Sequence, residues 1–134
     1  MTRNVIFILL TTLLAAGCRE DEVVVPTQYE ILPIGMKEGQ NIIGMYLVNE
    51  GNMGSNKCTL DYLDYVHGYY VRNLYSERNP NVIKELGDVG NDIRIYGSRL
   101  YVVVNCSNKI EVMNAYTGRR IGQINIPNCR YIRF

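Results

Sequence analysis

The sequence has no tryptophan, one histidine (His67), two phenylalanines and four prolines among 134 residues. A single histidine, with cysteines that never fall at C-x-x-C spacing, leaves a Cys/His metal site without its ligands. An excess of charge of either sign is missing too: beyond the first 17 residues 13 bases face 13 acids, and Arg119-Arg120 is a lone basic pair. Such a chain has no electrostatic footprint for nucleic acid. No apolar run reaches the roughly eighteen residues that a membrane-spanning helix needs. G-x-S-x-G, Walker and G-x-G-x-x-G loops are absent. Asp61 and Asp64 would point to opposite faces of a strand, and His67, after a turn-like "YV", reads as a solvated loop residue rather than a general base. Neither a catalytic constellation nor a cofactor site is expected.

What is present begins with "MTRNVIFILLTTLLAAGC". A basic residue at Arg3, an apolar stretch from Val5 to Ala16 and small residues before Cys18 make residues 1–17 a secretory signal peptide. "LLAAGC" resembles a bacterial lipobox, with Ala15 where leucine is usual and Leu14 one place early. The resemblance implies acylation of Cys18, and two or more acyl chains hold a protein stably on a bilayer where one binds only reversibly. The following "REDE" resembles the export signal that takes Bacteroidetes lipoproteins to the outer face of the outer membrane; taken as residues alone it is the start of a solvated tether. Residues 18–41, with Pro26, Pro33, Gly35 and Gly39, read as the lipidated cysteine and its tether. The domain proper is expected over 42–134.

Hydrophobic residues at 47% and charged residues at 20% are enough for a core. Cys58, Cys106 and Cys129 remain after Cys18. An exported compartment permits a disulfide, but an odd number cannot all pair within one chain, and the three read mainly as small buried hydrophobes.

Helical periodicity is scarce after the signal, and strand signals are frequent. Short runs at 44–51, 59–65, 69–75, 92–97, 99–105, 109–115 and 120–126 are mostly rich in β-branched or aromatic residues and bounded by Gly, Asn or Asp. The fold class is all-β. Two of these regions also repeat: Met45-Tyr46-Leu47-Val48-Asn49 lies over the run from Leu100 at an offset of 55, Leu60 to Asp64 lies over Ile110 to Asn114 at an offset of 50, and Gly68 falls on Gly118. The five extra residues of the earlier copy fit in the loop "EGNMGSNKC". A period near fifty with several strands per copy is the pattern of propeller blades. Inner strands buried on both faces would suit "YVVV", half-exposed outer strands would suit "IEVMN" and "RRIGQIN", and the two glycines would sit in tight turns needing positive φ.

"RLYVVVNCSNKIEVMNAYTGRRIGQINIP" resembles a repeat of the YncE-like (YVTN-type) β-propellers, with Asn114 in place of the usual Asp before "AYTG". With the acidic lipoprotein start, residues 42–134 are similar to Bacteroides surface lipoproteins of that class, including the cobalamin-capturing BtuG type. The resemblance implies a partial β-propeller: about two blades and the start of a third, breaking off at "NCRYIRF", from a ring of seven. The expectation is therefore an N-terminal fragment.

Candidate ligand-binding residues lie in the loops 49–57 and 105–109: Asn49, Glu50, Asn52, Asn56, Asn105 and Asn108 offer hydrogen bonds, and the same composition also makes a plain Gly/Asn hairpin turn. Of the eleven tyrosines, Tyr46, Tyr62 and Tyr101 sit in strand patterns and suit packing with satisfied hydroxyls. Tyr65, Tyr69, Tyr70 and Tyr116 flank turns and suit exposure.

The function expected is a non-catalytic, cell-surface outer-membrane lipoprotein, held on the membrane by the acyl anchor on Cys18. It would capture a small nutrient, cobalamin-like by the resemblance, or dock on a TonB-dependent transporter. The rivals are a propeller enzyme, a lyase or cofactor-dependent dehydrogenase with its catalytic residues in further blades, and a structural surface-layer component. Labelled palmitate should enter the wild-type chain and not Cys18→Ser; equal incorporation in both would refute the anchor.

Overall fold

The computed structural model describes residues 25–35, 39, 41–82 and 85–134; the signal peptide and Cys18 lie outside them. In chain order the elements are β1 (Gln28–Ile31), β2 (Gly44–Asn49), β3 (Thr59–Asp64), β4 (Tyr69–Arg72), α1 (Leu74–Arg78), β5 (Gly90–Tyr96), β6 (Arg99–Val104), β7 (Lys109–Asn114) and β8 (Arg120–Asn125). They form two four-stranded antiparallel sheets, sheet I in the order β1-β4-β3-β2 and sheet II in the order β5-β6-β7-β8. The described residues are mostly β, in two four-stranded units consistent with blades.

The repeat read from the sequence holds in the strand registers. Met45 pairs with Leu63, Leu47 with Asp61 and Val48 with Leu60 in sheet I. At the corresponding places in sheet II, Leu100 pairs with Met113, Val102 with Glu111 and Val103 with Ile110. The turns that follow are alike as well. Asp64 accepts from the N–H groups of Val66 and His67 (2.9 and 3.0 Å), and Asn114 accepts from those of Tyr116 and Thr117 (2.9 and 3.1 Å). Each turn closes on a left-handed glycine, Gly68 at φ +71 and Gly118 at φ +68.

Sheet I stacks on sheet II through one face of each. Tyr46, Val48 and Leu60 from sheet I meet Ile93, Leu100, Val102, Val104 and Met113 from sheet II, with Cys58, Tyr75 and Leu86 filling the margins. Successive strand residues alternate faces, so Tyr101, Val103 and Ile110 point away from sheet I. They are covered by Cys129 and Ile132 of the C-terminal segment, and Phe134 lies against Tyr96 and Tyr101 with ring centroids 4.7 and 4.9 Å apart.

Four expectations need correction. The stretch expected as tether contains β1, which pairs with β4; Tyr29 and Ile31 give it enough β-forming character to close that edge. The run expected to be a strand to residue 75 stops at Arg72, because Asn73 turns left-handed (φ 49) and caps α1 by accepting from the Ser76 N–H, with Pro80 shortly beyond the helix. "IEVMN" is not half-exposed: Ile110, Glu111, Val112 and Met113 are all buried, since sheet I covers one face of β7 and the C-terminal segment the other. Cys58 and Cys129 are buried but Cys106 is exposed, and all three are free thiols; Cys106 follows β6 in an exposed turn.

Inside the stack sits a carboxylate. Glu111 is fully buried and faces sheet I, where it accepts from the Tyr75 hydroxyl (3.1 Å) and the Arg120 Nε and pairs with Lys109 Nζ at 3.0 Å. Burial first, then the charge of Glu111, pushes the Tyr75 phenol up. Burial opposes the charge of Arg120, yet its hydrogen bond to Glu111 raises it on balance. The repeat-equivalent acid in sheet I, Asp61, is also buried and accepts from the Tyr70 hydroxyl (2.6 Å), Asn49 Nδ2 (2.7 Å) and the Asn73 N–H (2.9 Å). Tyr70 and Arg120 stand at equivalent places, opposite Leu63 and Met113. One repeat position thus supplies the acid and another its partner, with different chemistry in each copy.

Removing one member of a buried charge cluster strands the others, typically at about 3–5 kcal/mol. Glu111→Ala should lower stability by about that much in urea unfolding; a loss under about 1 kcal/mol would show that the cluster is incidental. The Asp64 turn carries a pH signature. Burial works to raise that carboxyl, but the His67 ring and the N–H groups of His67 and Val66 outweigh it and hold it below its ordinary 3.8. A carboxyl depressed in the folded state stabilises above its unfolded value, and the contribution is lost as pH falls through the folded value. Asn114 builds the same turn without a charge, so Asp64→Asn should keep the fold. Its deficit in Tm against wild type should be largest near pH 7 and vanish by about pH 2; a constant deficit would contradict the assignment.

Candidate functional site

The six loop residues expected to bind ligand come together at one end of the sheets. Segment 85–90 runs between their two loops: Gly90 donates to Glu50 O (3.2 Å), Cys58 to Gly87 O (3.0 Å), and Asn105 to Val89 O (2.8 Å). Asp88 joins them, its carboxylate accepting from the N–H groups of Gly54 (2.8 Å) and Asn56 (3.4 Å) while its own N–H donates to Ser107 Oγ (2.9 Å). Sequence reading missed Asp88; its only signal is a lone acid after "ELG", which ordinary turns share.

Much of the polar capacity at this end is spent inside the protein. Asn49 Nδ2 donates to Thr59 Oγ1 (3.0 Å) and to Asp61. Asn105 Nδ2 donates to Cys129 O (2.8 Å), and Asn108 Oδ1 accepts from the Asn128 N–H (2.9 Å). Asn56 and Asn108 hold left-handed backbone, φ 55 and 52, which asparagine tolerates better than most residues. Glu50 and Asn52 are exposed at the tip. Asparagine at these places therefore builds the turns first, and Glu50 and Asn52 offer side chains to solvent.

The opposite end holds a cleft of about 490 Å³ between the sheets, bordered by Ile43–Tyr46 of the β2 side, Ile93–Ile95 of β5, and Tyr62, Leu100 and Tyr116. Consecutive residues of β2 and β5 line it, so strand edges as well as faces border the space. Tyr46 and Tyr62 meet at 4.8 Å with planes tilted by 48°, a favourable aromatic arrangement. Tyr62 lies across Gly44, where a Cβ would come 2.1 Å from its hydroxyl; only glycine leaves that space. Tyr46 donates to Ala115 O (2.9 Å), and burial, then the neighbouring Tyr62, pushes its phenol up to about 12. Burial, then the Asp64 charge, raises Tyr62 also. Both hydroxyls are thus neutral hydrogen-bonding groups at ordinary pH. Tyr116 stands at the mouth, 76% exposed. The cleft is aromatic and apolar; Arg94 borders it along β5 but shares the strand face of Tyr101, away from sheet I, where it pairs with Asp92 at 3.2 Å.

The tyrosines divide nearly as the strand pattern suggests. Tyr46 is packed and bonded, Tyr101 is half-buried, and Tyr69 and Tyr116 are exposed. Tyr70 departs from the expectation, since its hydroxyl serves Asp61. His67 stays at the surface with Nδ1 2.8 Å from Asp64 Oδ2, and Asp61 and Asp64 do not converge: one is buried among polar partners and the other caps a turn. Among the described residues no group of three His, Cys, Asp or Glu could hold a metal ion, and no helix is long and apolar enough to cross a membrane.

A search among curated proteins finds no match. A family profile does match, over residues 43–130, which spans both sheets from β2 onward and the cleft between them. The chain belongs to the family described as a domain of unknown function, DUF5074.

Proposed function

We propose that this chain is a non-catalytic binding module of an outer-membrane lipoprotein, displayed at the cell surface through acylated Cys18, that captures a small amphipathic nutrient in the cleft between the sheets. The cleft carries the reading: about 490 Å³ lies in the size range of small-molecule sites, which are mostly apolar with a few placed polar groups. The tyrosines at 46, 62 and 116 supply flat apolar contact with hydroxyl tips. The sheets are read as blades of a YncE-like propeller, a reading supported by their face-to-face stacking, the repeat in their registers and the C-terminal segment lying on sheet II where a next blade would begin. Delivery to a TonB-dependent transporter fits such a role, and the loop end with Glu50 and Asn52 is the surface offered for that contact.

Cobalamin, the nutrient named by the propeller resemblance, is the first probe. Titration of the full chain by calorimetry should show saturable binding. Tyr116→Ala should weaken it roughly five- to tenfold, the loss of about 1 kcal/mol of aromatic contact. Glu50→Ala with Asn52→Ala should leave it unchanged. Binding that is lost in the loop variant and kept in Tyr116→Ala would move the site to the loop end, against the cleft reading.

A further inference from the structure

The basic pair Arg119-Arg120, isolated in the sequence, gains a third arginine in the fold. Arg78, the last residue of α1, and the segment that follows it to Val82 come against the end of the β7–β8 turn and enclose with it a hollow of about 300 Å³. Arg78, Arg119 and Arg120 line this hollow, and no carboxylate of the described residues does. It shares no residue with the tyrosine cleft, and the C-terminal segment forms none of its lining.

The walls are tied together within the protein. Buried Asn79 donates to Tyr75 O (2.8 Å) and Gly118 O (3.1 Å) and accepts from the Arg120 N–H (2.7 Å), and the Val82 N–H donates to Asn79 O (3.0 Å). Asn79 is spent on this frame, which leaves the guanidinium groups to face a ligand. Among the described residues Arg119 has no acid at ion-pair distance. Arg78 stands 3.7 Å from Glu77, too far for a hydrogen bond, and Glu77 already accepts from the Tyr29 hydroxyl. Arg120 gives Nε to Glu111 and Nη2 to Gln123 (3.1 Å) and has further donors in its fork.

Charge sets the ligand. The three arginines and Lys109, the other base on Glu111, face two carboxylates, Glu77 and Glu111, so four bases less two acids leave a net +2 at the hollow and its paired neighbours. A cleft lined by one sign of charge focuses its field and concentrates counter-ions. Guanidinium forks grip phosphate through paired, charge-assisted N–H···O bonds, and a phosphate monoester carries about −1.5 to −2 near neutral pH. We propose that this hollow binds the phosphate group of a small soluble molecule, with Arg78 and Arg119 as its principal contacts and Arg120, anchored on Glu111, supplying the third charge. Recognition of anionic lipid surfaces draws on clusters of about four to eight bases; three arginines around a walled hollow suit a single phosphate that enters it.

NMR of the nitrogen-labelled full chain in nonionic detergent tests this, following the arginine Nε–H signals while inorganic phosphate replaces chloride at constant ionic strength. The signals of Arg78 and Arg119 should move together along one saturating curve. Arg119→Ala should raise its midpoint roughly fivefold or more, the loss of a hydrogen-bonded charge. Arg130→Ala, which removes another exposed charge from the C-terminal segment, should leave it unchanged. Because Arg119 is exposed, the backbone spectrum of its variant should otherwise match wild type; an alanine variant that has lost its dispersion is replaced by Arg119→Gln, which must raise the midpoint likewise. Small unsaturated shifts shared by all the arginines would reduce the effect to screening and overturn the proposal, as would a midpoint that Arg119→Ala leaves in place. A response to phosphatidylglycerol added to the micelles, with none to inorganic phosphate, would assign the arginines to a membrane surface and overturn it too.

Discussion

The stack of sheet I on sheet II depends on a carboxylate placed where a carboxylate is expensive. Glu111 is withdrawn from water between the sheets, and desolvating an ion costs several kcal/mol unless partners replace the lost hydration. Arg120 and Lys109 come from sheet II itself, but the Tyr75 hydroxyl comes from α1, directly after the last consecutive strand of sheet I. The Tyr75 bond is made only when α1 lies against Glu111 of β7. That requirement sets how the first unit meets the second, whereas the apolar contacts around it would tolerate several relative placements.

Around this contact the chain is fitted closely. Asn79, at the end of α1, donates to Gly118 O (3.1 Å) and accepts from the Arg120 N–H (2.7 Å), which binds the helix to the β7–β8 turn. Gly118 has two reasons to lack a side chain: its φ of +68, and Leu74, which a Cβ would meet at 3.2 Å. At the other end Asp88 makes the same kind of bridge between loops, with a carboxylate serving main-chain N–H groups. Toward the end that holds the β7–β8 turn, β2 and β5 part, and the tyrosine cleft is the gap that results.

The sheet elements were legible because strand grammar is local. Alternation, β-branched content and turn residues placed seven strands within a few residues of where they lie, and the offsets of 55 and 50 anticipated register pairs that belong to hydrogen bonding across strands. The turns closed by Gly68 and Gly118 were readable for the same reason, since a glycine's freedom to take positive φ needs no distant partner. β1 was hidden by its surroundings: four residues between prolines, with no internal signal that β4 would leave an edge open. The half-exposure expected of β7 failed because charge in a strand ordinarily marks a solvent face, and Glu111 instead marks a paired interior.

The site was the least legible part. Asparagine in the loops announces both hydrogen-bonding capacity and left-handed turns, and only coordinates show that Asn49, Asn105 and Asn108 are occupied within the protein while Glu50 and Asn52 are exposed. The tyrosines of the cleft lie 16 residues apart at Tyr46 and Tyr62 and a further 54 away at Tyr116, brought together by pairing of β2 with β3 and stacking of the sheets. The sequence by itself determined the strands, their turns and their repeated register, because neighbours along the chain specify those through backbone stereochemistry and alternation. The tertiary structure decided which faces are covered, which carboxylates are buried and where a cleft opens, because these depend on contacts between residues tens of positions apart that no local pattern encodes.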